Sequence, residues 1–90
     1  MIVQHAPVAG SGKGQGGWFV LDGVHVSYDH PVDAPFEHAL NLDFVNGAQG
    51  PGARVAVELS VAGARALVAT IEAVLAEAAA GGHLPPTPAA

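Results

Sequence analysis

"RVAVELSVAGARALVATIEAVLAEAAAGG", residues 54–82, changes its period in the middle. Up to Leu59 the apolar positions alternate. Val55, Val57 and Leu59 fall on one side and Ala56 and Glu58 on the other, the period of a half-buried strand. Past Ser60 the apolar residues Ala64, Leu67, Val68, Ile71, Val74, Leu75 and Ala78 recur at i, i+3, i+4 and form one helical stripe. Ser60 stands at the switch, where its hydroxyl can accept from a free amide of the first helical turn. The helix is predicted to run to about Ala79, and Gly81-Gly82 stops it.

Working back towards the N-terminus, "NGAQGPGA" (46–53) is a Gly/Pro loop. Before it, His38, Leu40, Leu42 and Phe44 share one strand face, and Glu37, Ala39, Asn41 and Asp43 the other. Val24, Val26 and Tyr28 alternate with His25 and Ser27. "WFVL" (18–21) is also strand-like, and Asp22-Gly23 between the two runs is a hairpin signal. An uninterrupted, bulged strand satisfies the same residues. "GSGKGQGG" (10–17) predicts a loop, because glycine disfavours the interior of helix and strand alike. Ile2–Val8 is a short strand weakened by Pro7.

These periods predict an α+β domain: an antiparallel sheet of four to five strands with one C-terminal helix packed on its apolar face. Residues 1–80 make the single domain and 81–90 a flexible tail. The opposite sheet face is left polar, with His25, Ser27, Asn41, Asp43 and Glu58.

Composition narrows the function classes. The 90 residues carry three Lys+Arg against eight Asp+Glu, a net charge of −5. Lys13, Arg54 and Arg65 stand far apart, so the clustered cations that displace counterions from nucleic acid are missing. No apolar run approaches the roughly 20 residues of a membrane span. The N-terminus has no basic region followed by an apolar one, so a cytoplasmic location is expected. Without cysteine there is no thiolate ligand, thiol nucleophile or disulfide. Much of the apolar content is alanine, and three Phe, one Trp and one Tyr are all the large aromatics. So thin a core suggests a homo-oligomer or a bound ion.

"SYDHPVDAPFEHALNLDF", residues 27–44, holds two of the five histidines and four carboxylates, Asp29, Asp33, Glu37 and Asp43. His30 ends one strand and His38 begins the next, so their imidazoles can converge. Two imidazoles and a carboxylate with open positions suit a divalent transition metal. On that reading His30, His38 and Glu37 are the metal ligands, and Asp29 and Glu37 orient or complete them. A metal-free His–carboxylate pair acting as general base needs the same residues. The structural alternatives are equally concrete. Asp29-His30-Pro31 is ordinary turn chemistry, and a carboxylate beside an imidazole can be a structural hydrogen bond. Glu37 and His38, adjacent on a strand, point to opposite faces unless a bulge intervenes.

The glycine run contains a GxGxxG at Gly12, Gly14 and Gly17, but a strand rather than a helix follows it. The P-loop pattern fails at Pro7 and Gly14. What remains is an anion-binding loop in which Lys13, with backbone N–H groups at Gly12 and Gly14, would clamp a phosphate or carboxylate; its alternative is a solvated loop. His5 and His83 are expected at the surface, and Trp18 and Phe19 in the core.

Taken together, "VAGSGKGQGGWF", "YDHPVDAPFEHALNLDFVN" and "GPGARVAVEL" resemble a family of small, mostly actinobacterial proteins of unknown function. The resemblance covers residues 8 to 79 and implies one fold for these segments, with no activity attached. In that pattern His often stands where this chain has Asp33, and a Cys lies near the N-terminus.

Two function classes follow. One is a small metal-binding protein, extended to a metal-dependent lyase, isomerase or hydrolase acting on a small anionic or carbonyl-containing substrate. Its site would join the 29–38 turn to the glycine run. The other is a non-enzymatic homodimeric binding or accessory module with structural histidines.

Overall fold

The computed structural model describes residues 1–85, so the last five residues of the expected flexible tail lie outside the described part. The chain runs β1 (Ile2–Gly14), β2 (Gly17–Asp29), β3 (Ala39–Val45), a 3-10 turn (Gly47–Gln49), β4 (Arg54–Leu59) and α1 (Val61–Ala80). The strands form one antiparallel sheet in the order β1-β2-β3-β4. The chain is thus an α+β protein with four strands.

The register aligns the apolar positions. Val24 pairs with Phe44 and Phe44 with Val55; Val26 pairs with Leu42 and Leu42 with Val57. Ala6 and Gln4 continue these rows on β1. Ser27, Asn41 and Glu58 make one row of the polar face, and His5, His25, Asp43 and Ala56 the next.

The glycine run is the main departure from expectation. It is strand, not loop: Gly10, Gly12 and Gly14 belong to β1, and Gln15-Gly16 alone make the turn into β2. Close packing is the reason. A β-carbon on Gly12 would lie 3.1 Å from Leu21 Cδ2 and 3.3 Å from Val55 Cγ2, and one on Gly14 would lie 3.4 Å from the Arg54 carbonyl oxygen. The long β1–β2 hairpin curls until β1 approaches β4, and side chains at these positions would hold it off. Alternate glycines therefore provide clearance, not flexibility.

Asp22-Gly23 is not a turn either. β2 passes through it unbroken, and the irregularity sits on β1, where Val8 and Ala9 oppose Asp22 between the pairs Pro7–Gly23 and Gly10–Leu21. This two-against-one count is a bulge. The less exposed positions of β2 are odd up to Gly23 and even from Val24, so the strand changes its inward phase there. A β-carbon on Gly23 would meet the Ala6 carbonyl oxygen at 3.1 Å, while the Asp22 carboxylate accepts from Gly47 N–H at 3.0 Å. Trp18, expected in the core, is instead 71% exposed at the hairpin tip, because the phase change turns even positions outward there.

Ser60 caps α1, accepting from Gly63 N–H at 3.0 Å. At the other end His83 N–H bonds the Ala78 carbonyl and Gly82 N–H that of Ala79, with Gly82 at φ +73°. This is a Schellman stop. The helix meets the apolar sheet face at β3 and β4, where Ala64, Leu67 and Val68 share a groove with Val26, Leu40, Leu42 and Leu59. No helix residue is buried. The core proper is small: among the described residues, Val24, Ala39 and Ala53 are the buried apolar ones. No described helix is long and apolar enough to cross a membrane.

Candidate functional site

The connection between β2 and β3, residues 30–38, folds over the end of the sheet. Asp29 and Ala39 form the last β2–β3 pair and bring its two ends together. His30 Nδ1 lies 3.0 Å from the Glu37 carbonyl oxygen and closes the neck. Phe36 N–H donates to the Ala34 carbonyl at 2.9 Å, a tight bend beside Pro35.

The two imidazoles that the sequence singles out do meet. The His30 and His38 rings stack with centroids 4.6 Å apart and planes inclined by 23°. Tyr28 lies on the far side of His38, at 5.7 Å and 27°. His38 is therefore the middle of a three-ring stack at the rim of the apolar face. With His30 Nδ1 donating to the Glu37 carbonyl, Nε2 keeps a free lone pair. Metal-binding histidines commonly have this arrangement, a backbone carbonyl fixing the tautomer.

The carboxylates are arranged differently. Asp29 Oδ1 accepts the His30 backbone N–H at 2.7 Å, and its Oδ2 lies 3.2 Å from the Met1 ammonium. The first of these bonds, then the second, hold its carboxyl below the usual carboxylate range. Asp29 is thus a turn residue and terminal ion-pair partner. Glu37 contributes its carbonyl to the neck, and its side chain makes no ion pair or hydrogen bond among the described residues. No group of three or more His, Asp or Glu side chains among the described residues is placed to hold a metal ion.

A carboxylate from β4 shapes the loop instead. Glu58 accepts from Val32 N–H at 2.6 Å and from Asp33 N–H and Ala34 N–H at 2.9 Å each. These backbone donors, Val32 foremost, lower its pKa. Successive N–H groups wrapped around one carboxylate make an anion-holding nest filled by the protein's own side chain. The sequence places Glu58 on the polar face through the alternation of β4, but a partner some 25 residues away leaves no local signal. The Asp43 carboxylate is likewise engaged, by Arg54 at 2.7 Å. A cavity of about 420 Å³ lies between this pair and the loop, lined by Val32, Asp33, Ala34, Arg54, Ala56 and Glu58.

Lys13, Gly12 and Gly14 are not part of this arrangement. Lys13 pairs with Trp18 near the β1–β2 turn, whereas Ile2 and Tyr28 mark the other end of the same hairpin. The distance along β2 is on the order of 30 Å at the usual strand rise. The expected union of glycine run and 29–38 turn is therefore not formed. Gly12 and Gly14 lie in β1, not in the loop that the expected anion cradle assumed. His5 is exposed as expected, but its ring meets His25 edge-on at 4.2 Å on the polar face.

Residues 1–84 match the model of a family of unknown function, DUF6295. The chain belongs to that family. The match takes in every strand, the helix and the imidazole-bearing loop of this DUF6295 member. No curated protein and no solved structure gives a significant match.

Proposed function

We propose that the chain is a small metal-binding protein in which His30 and His38 take a divalent transition metal at the exposed end of the sheet. The observation that carries this is the convergence of the two rings at 4.6 Å, with His30 oriented through Nδ1 to the Glu37 carbonyl. Imidazole nitrogen suits Zn²⁺, Cu²⁺, Ni²⁺ and Fe²⁺. Stacked rings direct their in-plane lone pairs side by side, so chelation of one ion requires one ring to turn about its side-chain torsions. Glu37 or Asp33, both exposed on the same loop, would add a carboxylate. A centre of two or three protein ligands keeps open positions at which a metal can polarise a carbonyl or activate water. Lyase, isomerase or hydrolase chemistry on a small substrate belongs to this proposal only as an extension of metal binding. A cytoplasmic setting is part of the same proposal.

The second reading, a non-enzymatic homodimeric module with structural histidines, is favoured by the use of Asp29, Glu58 and Asp43 in holding the fold together. Elemental analysis and calorimetric titration separate the two. Purification without chelator should give near-stoichiometric metal or micromolar binding, lost in both His30→Ala and His38→Ala and kept in His25→Ala. Absence of metal in the wild type, with no heat on titrating Zn²⁺, Ni²⁺ or Cu²⁺, would leave the second reading.

A further inference from the structure

The polar face of the sheet carries a second pair of imidazoles, away from the His30–His38 stack at the rim of the apolar face. His5 of β1 and His25 of β2 are directly opposed in the antiparallel ladder, and the pairing runs unbroken through them from Ile2–Tyr28 to Pro7–Gly23. Residues opposed in such a ladder project from one face, with β-carbons about 4.5–5.5 Å apart. The ring centroids are 4.2 Å apart and the planes stand at 87°. Both residues are exposed, and neither ring makes a hydrogen bond or ion pair among the described residues. The lone pair of each neutral ring is therefore free to ligate.

The spacing of the rings identifies what fits. An imidazole nitrogen binds a first-row divalent ion at about 2.0–2.1 Å, which puts the ring centre about 3.2 Å from the ion. Two rings bound at a right angle then have centres about 4.5 Å apart, and two bound at the tetrahedral angle about 5.2 Å. The observed 4.2 Å lies near the first value. Zn²⁺ prefers the tetrahedral angle, whereas right-angled nitrogen coordination suits Cu²⁺ and Ni²⁺, of which Cu²⁺ binds the more tightly. Because both rings are exposed, each can turn about its side-chain torsions to aim a nitrogen at one ion, while the ladder holds the two backbones in place. Asp43 opposes His25 from β3, but its Oδ1 is held by Arg54 at 2.7 Å. The protein ligands therefore end at two imidazoles.

We propose that His5 and His25 chelate Cu²⁺ between adjacent strands, a second metal site that is separate from His30 and His38 and does not depend on them. Water completes the coordination. With two ligands at an exposed surface this is the weaker of the two sites, and its ion exchanges during purification. Elemental analysis of the purified protein therefore reports on His30 and His38 alone, and the cross-strand pair is read by titration.

Cu²⁺ titration of His38→Phe, in which the other pair is broken, isolates the site. Calorimetry should show one binding event. In NMR spectra the ring signals of His5 and His25 should broaden together at sub-stoichiometric Cu²⁺, ahead of those of His30 and His83. Once one imidazole is bound the second binds intramolecularly, so adding His5→Ala or His25→Ala should weaken Cu²⁺ binding by about 10-fold or more, with both together little worse than either. The positions are exposed, so the variants should melt as the parent does without metal. Gln4→His combined with His5→Gln keeps the number of histidines but moves the imidazole to the other face of β1, and should bind no better than His5→Ala. The proposal is overturned by a His38→Phe protein that takes no Cu²⁺, by broadening that begins at His30 or His83, or by affinity that survives either alanine. Undiminished binding in the Gln4→His, His5→Gln variant overturns it as well, because the ladder position of the ring would then be irrelevant.

Discussion

Glu58 takes the backbone N–H of Val32 at 2.6 Å, across 26 positions of sequence, and thereby pins the β2–β3 connection to β4. Asp33 and Ala34 donate to the same carboxylate, so one side chain organises three consecutive peptide groups. The prediction is that Glu58→Gln destabilises the protein and loosens residues 31–36, because an amide turns an N–H₂ towards N–H donors. The effect has a definite pH dependence. The native pKa lies below the unfolded one. The stabilisation is therefore complete above the ordinary carboxylate range and is lost as pH falls through it towards the lowered native value. Melting temperatures measured from pH 7 to pH 3 should converge for wild type and Glu58→Gln as the pH drops. Parallel curves would show that the charge of Glu58 plays no part.

Gly12 and Gly16, four residues apart, should respond in opposite ways to the same substitution. A β-carbon on Gly12 enters a space already closed by Leu21 and Val55, whereas one on Gly16 meets nothing within 4 Å. Gly→Ala at a compatible site gains about 0.4–1 kcal/mol by restricting the unfolded chain. Overpacking costs about 1–3 kcal/mol, and stiff β-branched Val55 cannot easily yield. Gly12→Ala is expected to lose on the order of 1 kcal/mol, and Gly16→Ala to be neutral or stabilising. Denaturant titration of the pair decides this. Equal effects would mean that the glycine run is there for its conformational freedom after all.

That contrast also explains what could be read in the sequence. The period change at Ser60 and the alternation in residues 24–28 and 38–44 are local and carry one meaning, so they yield the α+β architecture and the polar row Ser27, Asn41, Glu58. Glycine carries two meanings, freedom and clearance. Only the curl of β1 towards Val55 selects the second for Gly12 and Gly14. Asp22-Gly23 was ambiguous in the same manner, because the residues that settle it, Ala6 and Gly47, lie elsewhere in the chain. At the candidate site, the meeting of His30 and His38 was legible, since the two flank one connection. The engagement of Glu58 and the separation of Lys13 were not, because both follow from strand register.

Ser60 is the whole junction between β4 and α1, and its hydroxyl satisfies Gly63 N–H. Ser60→Ala should cost about 1 kcal/mol, and Ser60→Asp should largely restore the loss because its carboxylate also faces the helix N-terminus. Chemical denaturation of the three proteins at one concentration checks both statements. A Ser60→Asp variant no better than Ser60→Ala would show that the hydroxyl serves the junction by its size and not as a cap.

If a metal binds the native imidazole pair and not the unfolded chain, it must raise thermal stability by mass action. At 100 times the dissociation constant the gain is about 2.7 kcal/mol, minus whatever unfolded histidines bind. For a domain of this size each kcal/mol moves the midpoint by about 4–8 °C. Saturating Zn²⁺ or Ni²⁺ should therefore shift the wild type by roughly 10 °C or more, and His38→Ala hardly at all. His38 is the more informative position, since removing it takes a ligand and also the ring between Tyr28 and His30. His38→Phe separates these roles, keeping an aromatic ring in the stack without a lone pair. Restored metal-free stability in His38→Phe, with the metal shift still absent, identifies the imidazole nitrogen as the ligand. A metal shift that persists in His38→Phe places the ion elsewhere, and a wild type without any shift leaves the three rings a structural stack. Protein concentration must be held constant throughout, because any self-association would move the midpoint independently.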